Sequence, residues 1–194
     1  MKLDEDVNRI KANLEGKQEK FERVIMLSRK IIAASAQTIT LLHNNEMQKA
    51  VSELKLVRDN IAGLQSIDAQ FKYYTVQAYQ EYVEASMLMQ IKKDGTIPSQ
   101  KSLGMDDDAY LLGMMDVVGE LKREILESLR KYDTKTAERH FDLMKQIYDS
   151  TRSLRFAESI ISGFRKKQDT ARIQIENAGS EILMFKSRDV KRAR

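Results

Sequence analysis

Apolar residues recur at helical spacing along almost the whole chain. In the first segment Val7, Leu14, Phe21, Ser28, Ser35 and Leu42 fall every seven residues, and Ile10, Val24 and Ile31 take the companion positions three residues on. This is a heptad-like seam with two serines in it, and it predicts a helix to about His43. Unbroken, that helix would be about 60 Å long, whereas a compact domain of this size is about 40 Å across. Either it breaks near Gly16 or it projects and packs against another subunit; projection, and with it an oligomer, is the expectation. A second helix is expected from Glu46 to about Leu64, stopping near Gly63, and a third from about Asp68 to Ile91. Turn residues between Lys93 and Ser99 end the third helix, and a polar link continues to Gly104. Asp106-Asp107-Asp108 opens a fourth helix reaching about Tyr132, with the acids placed as N-cap and dipole partners. Asp133-Thr134 caps a fifth, and a last helix should end at Gly179 in a glycine C-cap. Strand-like alternation is nearly absent, and proline occurs once, at Pro98. The expected fold class is all-α: a single-domain bundle of six to seven helices over residues 1–185, followed by a basic tail at 186–194.

Composition narrows the chemistry more than the fold. The 194 residues, 42% hydrophobic and 32% charged, suffice for a sizeable core. With no cysteine, disulfides, thiolate zinc sites and cysteine nucleophiles are excluded together. Two histidines, His43 and His140, leave little material for histidine-based metal sites or Ser-His-Asp catalysis, so any metal chemistry must rest on carboxylates. No uninterrupted apolar run approaches the roughly 18 residues of a membrane span. The start, MKLDEDVNRI, is acidic and polar where a signal peptide would be apolar. A cytoplasmic chain is expected. The net charge of +4 is mildly basic, and five of the last nine residues are cationic. Such a tail reads as solvated and frayed, so charge alone permits a nucleic-acid partner without requiring one.

Two sets of carboxylates stand out. From Tyr73 to Ile91 the third helix is apolar or aromatic all round, yet carries Glu81 and Glu84 as its two charged residues, on one face. Ionised and unpaired, each would cost several kcal/mol to bury, so they must protonate, find cations or face a polar cavity. On the fourth helix Asp116 and Glu120 lie four apart, with Arg123 on the same side. Alone, that pair reads as a solvated face opposite the stripe of Leu111, Val118, Ile125 and Leu129. Two helices joined by a short connection are expected to pack antiparallel. Four converging carboxylates would then need a divalent ion, and oxygen-only ligation suits Mg²⁺ or Mn²⁺. A di-iron site would want Glu-x-x-His, and neither histidine sits three residues after a glutamate.

At these residues the chain resembles the translin superfamily, and in particular its TRAX (translin-associated factor X) branch. The resemblance lies in Gln80-Glu81-Tyr82-Val83-Glu84-Ala85, in Tyr110-Leu111-Leu112-Gly113, and in Asp116-Val117-Val118-Gly119-Glu120-Leu121-Lys122-Arg123. Lys20-Phe21-Glu22-Arg23-Val24, Leu27-Ser28-Arg29, Thr38 to His43 and Ala178-Gly179-Ser180-Glu181-Ile182 agree as well. It implies a bundle of about seven helices assembled into a hollow octamer, as in the compact archaeal homo-oligomers. It also implies a Mg²⁺-dependent endoribonuclease that hydrolyses single-stranded or short duplex RNA within the cavity by water activated at the metal. Glu81, Glu84, Asp116 and Glu120 take the catalytic and metal-binding places by that resemblance, and Arg123 the RNA contact. The chain departs at Ala36-Gln37 and Asn44, where TRAX is basic, which leaves Arg23, Arg29 and Lys30 as substitutes for RNA binding.

Two other functions compete. A translin-type protein would bind RNA, or single-stranded DNA, without cutting it. An all-α nucleotide pyrophosphohydrolase would also use a Glu-x-x-Glu helix with a second acidic helix, although its second motif is usually Glu-x-x-Asp and here it is Asp-x-x-x-Glu.

Overall fold

The computed structural model describes residues 2–192. Seven α-helices follow one another: α1 (Lys2–His43), α2 (Met47–Gln65), α3 (Val76–Asp94), the short α4 (Gln100–Leu103), α5 (Asp107–Arg130), α6 (Thr134–Thr151) and α7 (Phe164–Arg192), and no strand occurs among the described residues. The all-α expectation holds. Helix α1 does not break at Gly16, so its 42 residues make a rod about 60 Å long. The seam divides into two parts. Val24, Leu27, Ile31 and Leu42 are buried against α2 and α3, whereas Leu3, Val7, Ile10 and Leu14 stand exposed on an N-terminal arm whose residues 2–15 are all exposed. By composition one window of α1 is apolar enough to cross a membrane, but its apolar stripe is the one filling this core.

Helix α5 is the central element, packed on α3, α6 and α7, and Val117, Val118, Leu121 and Ile125 are completely buried within it. Contrary to the expected hairpin, α3 and α5 run parallel. Gly113 abuts Gln80 and Val83, while further along both helices Lys92 meets Glu124. The link of residues 95–106 makes this possible by running back along α3. It leaves α3 at Gly95 (φ 79°), forms α4 under a Ser99 cap, turns again at Gly104 (φ 65°), and brings Asp106 to Lys72 at 3.0 Å, beside the start of α3. A parallel pair needs a crossover of this kind.

Other boundaries move for local reasons. Residues 68–74 form two 3₁₀ turns rather than the first turns of α3, which begins at Val76. Helix α2 runs past Gly63 to Gln65. Asp133 caps α6 as expected, its carboxylate accepting from the Thr136 amide at 3.0 Å. Asp106 occupies the N-cap position of α5 without a capping bond, its carboxylate being turned to Lys72. Helix α7 does not end at Gly179: a Cβ there would lie 3.2 Å from the Phe141 ring, so this glycine serves close packing of α6 on α7. The helix continues to Arg192, and Lys186 pairs with Glu138, so the start of the basic segment is ordered rather than frayed. Residues 193–194 lie outside the described residues.

Gly113 sets the distance between the two acidic helices. A Cβ there would meet the Gln80 carbonyl oxygen at 2.6 Å and the Val83 side chain at 2.7 Å, far inside ordinary contact. Gly113→Ala should therefore push α3 from α5 and cost about 2 kcal/mol, read as a lower urea midpoint at unchanged slope.

Candidate active site

The parallel packing of α3 and α5 brings the four predicted carboxylates to one seam. Glu81 and Glu84 come from α3, and Asp116 and Glu120 from α5. Glu84 is 8% exposed; Glu81 is half-buried, and the Asp116 and Glu120 side chains are about a quarter exposed. Among the described residues neither Glu81 nor Glu84 has an ion pair or hydrogen bond from its side chain. Burial, reinforced by the charges of Asp116, Glu81 and Glu120, pushes the Glu84 carboxyl up to about 8. Burial and the Asp116 charge likewise raise Glu81. On α3, then, the first of the three alternatives applies to Glu84: without another cation its carboxyl holds a proton at neutral pH.

On α5 the second alternative applies, and the cations come from the chain itself. Asp116 accepts from Gln80 Nε2 at 2.6 Å through one oxygen and binds the Lys167 ammonium of α7 through the other. Glu120 meets His43 Nε2 at 2.5 Å, and His43 Nδ1 meets Glu124 at 2.6 Å. Lys92 also donates to Glu124 at 2.8 Å. Both ring nitrogens of His43 face carboxylate oxygens, and the hydrogen bonds to Glu120 and then Glu124 raise its pKa against burial and the nearby Arg123 charge, favouring the imidazolium. Burial would push Glu124 up, but the bonds from His43 and Lys92 overcome it and hold the carboxyl at about 2. Lys92, Glu124, His43 and Glu120 form one chain of charge along the seam.

This network sets a pH window. The Glu124 share of stability is fully present above 4.5 and is lost as pH falls toward 2. The His43 share is present below 6.5 and is lost as pH rises through the raised folded value. His43→Ala should accordingly cost about 3 kcal/mol near pH 5.5, with a smaller difference from wild type at pH 9. Thermal unfolding of both proteins across pH checks it.

Among the described residues no three carboxylate or imidazole groups are gathered closely enough to hold an ion as they stand. The donor set itself suits a hard divalent cation: four carboxylates, two of them buried or half-buried without a partner. Lys167 and His43 occupy positions of positive charge that such an ion would contest.

The remaining predicted residues are dispersed. Arg123 is exposed on α5, one turn beyond Glu120. Arg23, Arg29 and Lys30 are exposed on α1, about 20–30 Å along the helix from His43 by its rise per residue, so within one chain they do not join the acidic seam. Sequence reasoning missed His43, Gln80, Lys92, Glu124 and Lys167 as members of the site. His43 and Gln80 closed or opened motifs already singled out, and Glu124 lies one turn after Glu120. For Lys167, on α7, no sequence signal existed.

An all-α bundle with an acidic seam between two parallel helices, fed by the end of a long first helix, defines a recognisable class. The translin family profile matches residues 19–179, and the chain belongs to the translin family as a compact, TRAX-like member. It is 30% identical over 185 residues to the uncharacterized protein MJ0175 of Methanocaldococcus jannaschii, covering 93% of this chain and 83% of that protein. It is 27% identical over 151 residues to the Translin-associated protein X homolog of Schizosaccharomyces pombe, 67% of this chain and 64% of that protein. Among solved structures, AfC3PO in complex with duplex RNA superimposes with a TM-score of 0.88 at 27% identity, over 95% of this chain and 98% of that one.

Proposed function

We propose that this protein is an endoribonuclease that cuts single-stranded or short duplex RNA with Mg²⁺ or Mn²⁺ held by Glu81, Glu84, Asp116 and Glu120. The observation that carries the reading is Glu84, a carboxyl buried without a partner and facing three other acids, whose ionisation at neutral pH calls for an added cation. Membership of the translin family and the likeness to a protein solved with duplex RNA support RNA as the ligand.

When bound, the cation would neutralise a phosphodiester oxygen and make water a competent nucleophile toward phosphorus. The chain supplies the rest. Close contact at Gly113 fixes the α3 donors against the α5 donors, so the acids are positioned by packed helices rather than loops. His43 orients Glu120 through a 2.5 Å bond. Glu81, the more accessible acid of α3, accepts the proton of the attacking water as general base. Arg123, exposed beyond Glu120, balances the negative charge that grows on the phosphate. The P–O bond to the leaving sugar oxygen breaks, that oxygen takes a proton from solvent water, and the products are two RNA fragments, one ending in a phosphate and the other in a hydroxyl.

We also propose a closed homo-oligomer, most simply an octamer, that encloses the seam. The exposed arm of α1, with its unpartnered Leu3, Val7, Ile10 and Leu14, supports it. A second reading, a translin-type binder of RNA or single-stranded DNA, has one specific observation in its favour. Lys167 and His43 already neutralise Asp116 and Glu120, so nucleic acid could approach without an added ion. Incubation of end-labelled RNA with and without Mg²⁺ separates the readings: cleavage by wild type and its loss in Glu84→Ala support the nuclease. Salt-sensitive binding of RNA that stays intact supports the binder. Release of pyrophosphate from nucleoside triphosphates, with RNA untouched, would instead make it a pyrophosphohydrolase.

A further inference from the structure

Behind the acidic seam, where α7 crosses α5, lies a cavity of about 360 Å³. Asp116 and Gly119 of α5 form one wall, and Lys166, Lys167, Thr170 and Gln174 of α7 form the other. The wall on α7 is two ammonium groups, a hydroxyl and an amide, with no acid among the residues lining it; the cavity's single carboxylate is Asp116. That is the chemistry of a phosphodiester subsite closed at one end by a carboxylate. Gly119 keeps the cavity open toward Gln174, whose amide would lie 3.3 Å from a Cβ at that position.

Lys167 belongs to both places at once. Its ammonium is bound to Asp116, yet its side chain remains 27% exposed and lines the cavity. The other oxygen of Asp116 is taken by Gln80 at 2.6 Å, so a cation arriving at Asp116 meets an oxygen already occupied by Lys167. Two positive charges cannot share that oxygen cheaply. The lysine stem is flexible, and the cavity beside Thr170 and Lys166 gives its ammonium a place to go.

We propose that Lys167 is a two-position residue: it neutralises Asp116 while no divalent cation is bound, and it moves to an RNA phosphate in the α5–α7 cavity when a cation takes Asp116. Lys167 is thus a positioning residue that couples cation entry to substrate grip, and the phosphate it holds neighbours the one being cut. The proposal rests on the metal-dependent reading given above. It explains why the acids are neutralised by a movable lysine rather than a fixed arginine: the site stays intact when empty and gains an RNA contact when loaded.

The test is Mn²⁺ binding to the full chain without RNA, followed through the free-ion paramagnetic resonance signal, in wild type, Lys167→Met, Lys167→Gln and Glu84→Gln. With the competing ammonium gone, both Lys167 variants should bind Mn²⁺ roughly tenfold more tightly than wild type, the size expected for two mutually exclusive ligands. Glu84→Gln should lose the site. A second readout uses a short single-stranded RNA in EDTA. Asp116→Asn, which releases Lys167, should tighten RNA binding more when made in wild type than when made together with Lys167→Met. Equal tightening in the two cases, the result expected from loss of a negative charge alone, would count against the move. Mn²⁺ binding that is lost in Glu84→Gln but unchanged in both Lys167 variants would overturn the two-position role and leave the metal site standing. Mn²⁺ affinity that is absent from wild type and from every variant would overturn the metal site itself, and this proposal with it.

Discussion

Glu84→Gln should sharply lower Mg²⁺-dependent cleavage and, in the same protein, raise stability in the absence of metal. The two effects share one cause. Burial and three neighbouring acids hold the Glu84 carboxyl at about 8 in the folded chain, against 4.5 unfolded. A group raised in this way contributes stability that is fully present below 4.5 and is lost as pH climbs toward 8, because the unfolded chain releases its proton first. At pH 7.5 the metal-free wild type should therefore be less stable than Glu84→Gln by about 3 kcal/mol, and the difference should vanish near pH 4. Added Mg²⁺ should raise the melting temperature of wild type and leave the variant unmoved. Cleavage should fall by on the order of 10²–10³-fold, the usual loss when a preorganised charge is removed from a site. A variant both more stable and far less active marks a residue kept for function at a cost to folding. Melting curves in EDTA and in Mg²⁺ across this pH range, with a cleavage assay alongside, check all three statements.

Placing acids on the arm should dismantle the assembly without touching the fold. Leu3, Val7, Ile10 and Leu14 are exposed at heptad spacing on the exposed N-terminal stretch of α1. Burying each against another subunit would contribute about 1.5–3 kcal/mol, so a closed assembly gains that term many times over. Ile10→Asp with Leu14→Asp should turn the oligomer into a species of about 22 kDa. The melting transition of the body should survive, since the core begins at Val24. Light scattering at low micromolar concentration reads the mass. A wild type already monomeric there would refute the octamer and the enclosed site.

Much of this was legible from the sequence. An apolar helix carrying two acids announced α3 as buried and Glu81 and Glu84 as anomalous, because burial and charge conflict whatever the fold. Asp116 and Glu120 could be paired with them only by assuming neighbouring helices, and the assumed direction was wrong. A link of residues 95–106 reads as a short hairpin connection, and nothing local says that it doubles back through α4 to start α5 beside α3. Gly179 read as a helix end because a missing Cβ serves a left-handed cap and a tight helix crossing equally well in sequence. The Phe141 ring that decides the matter lies on another helix. The pairings of His43 and Lys167 were hidden for the same reason: their partners, Glu120 and Asp116, are 77 and 51 residues away. Local chemistry is written along the chain, whereas charge partners across helices appear only once the bundle is assembled.

Cleavage of RNA by these acids should require a divalent ion. The most direct test is the rate of cleavage of a short end-labelled single-stranded RNA by the purified full chain as Mg²⁺ is titrated from EDTA upward, in wild type and in Asp116→Asn. Wild type should give saturable, Mg²⁺-dependent fragmentation and Asp116→Asn none, although the variant still retains RNA. RNA bound and left intact by wild type at every Mg²⁺ concentration, or equal cleavage by both proteins, would contradict this.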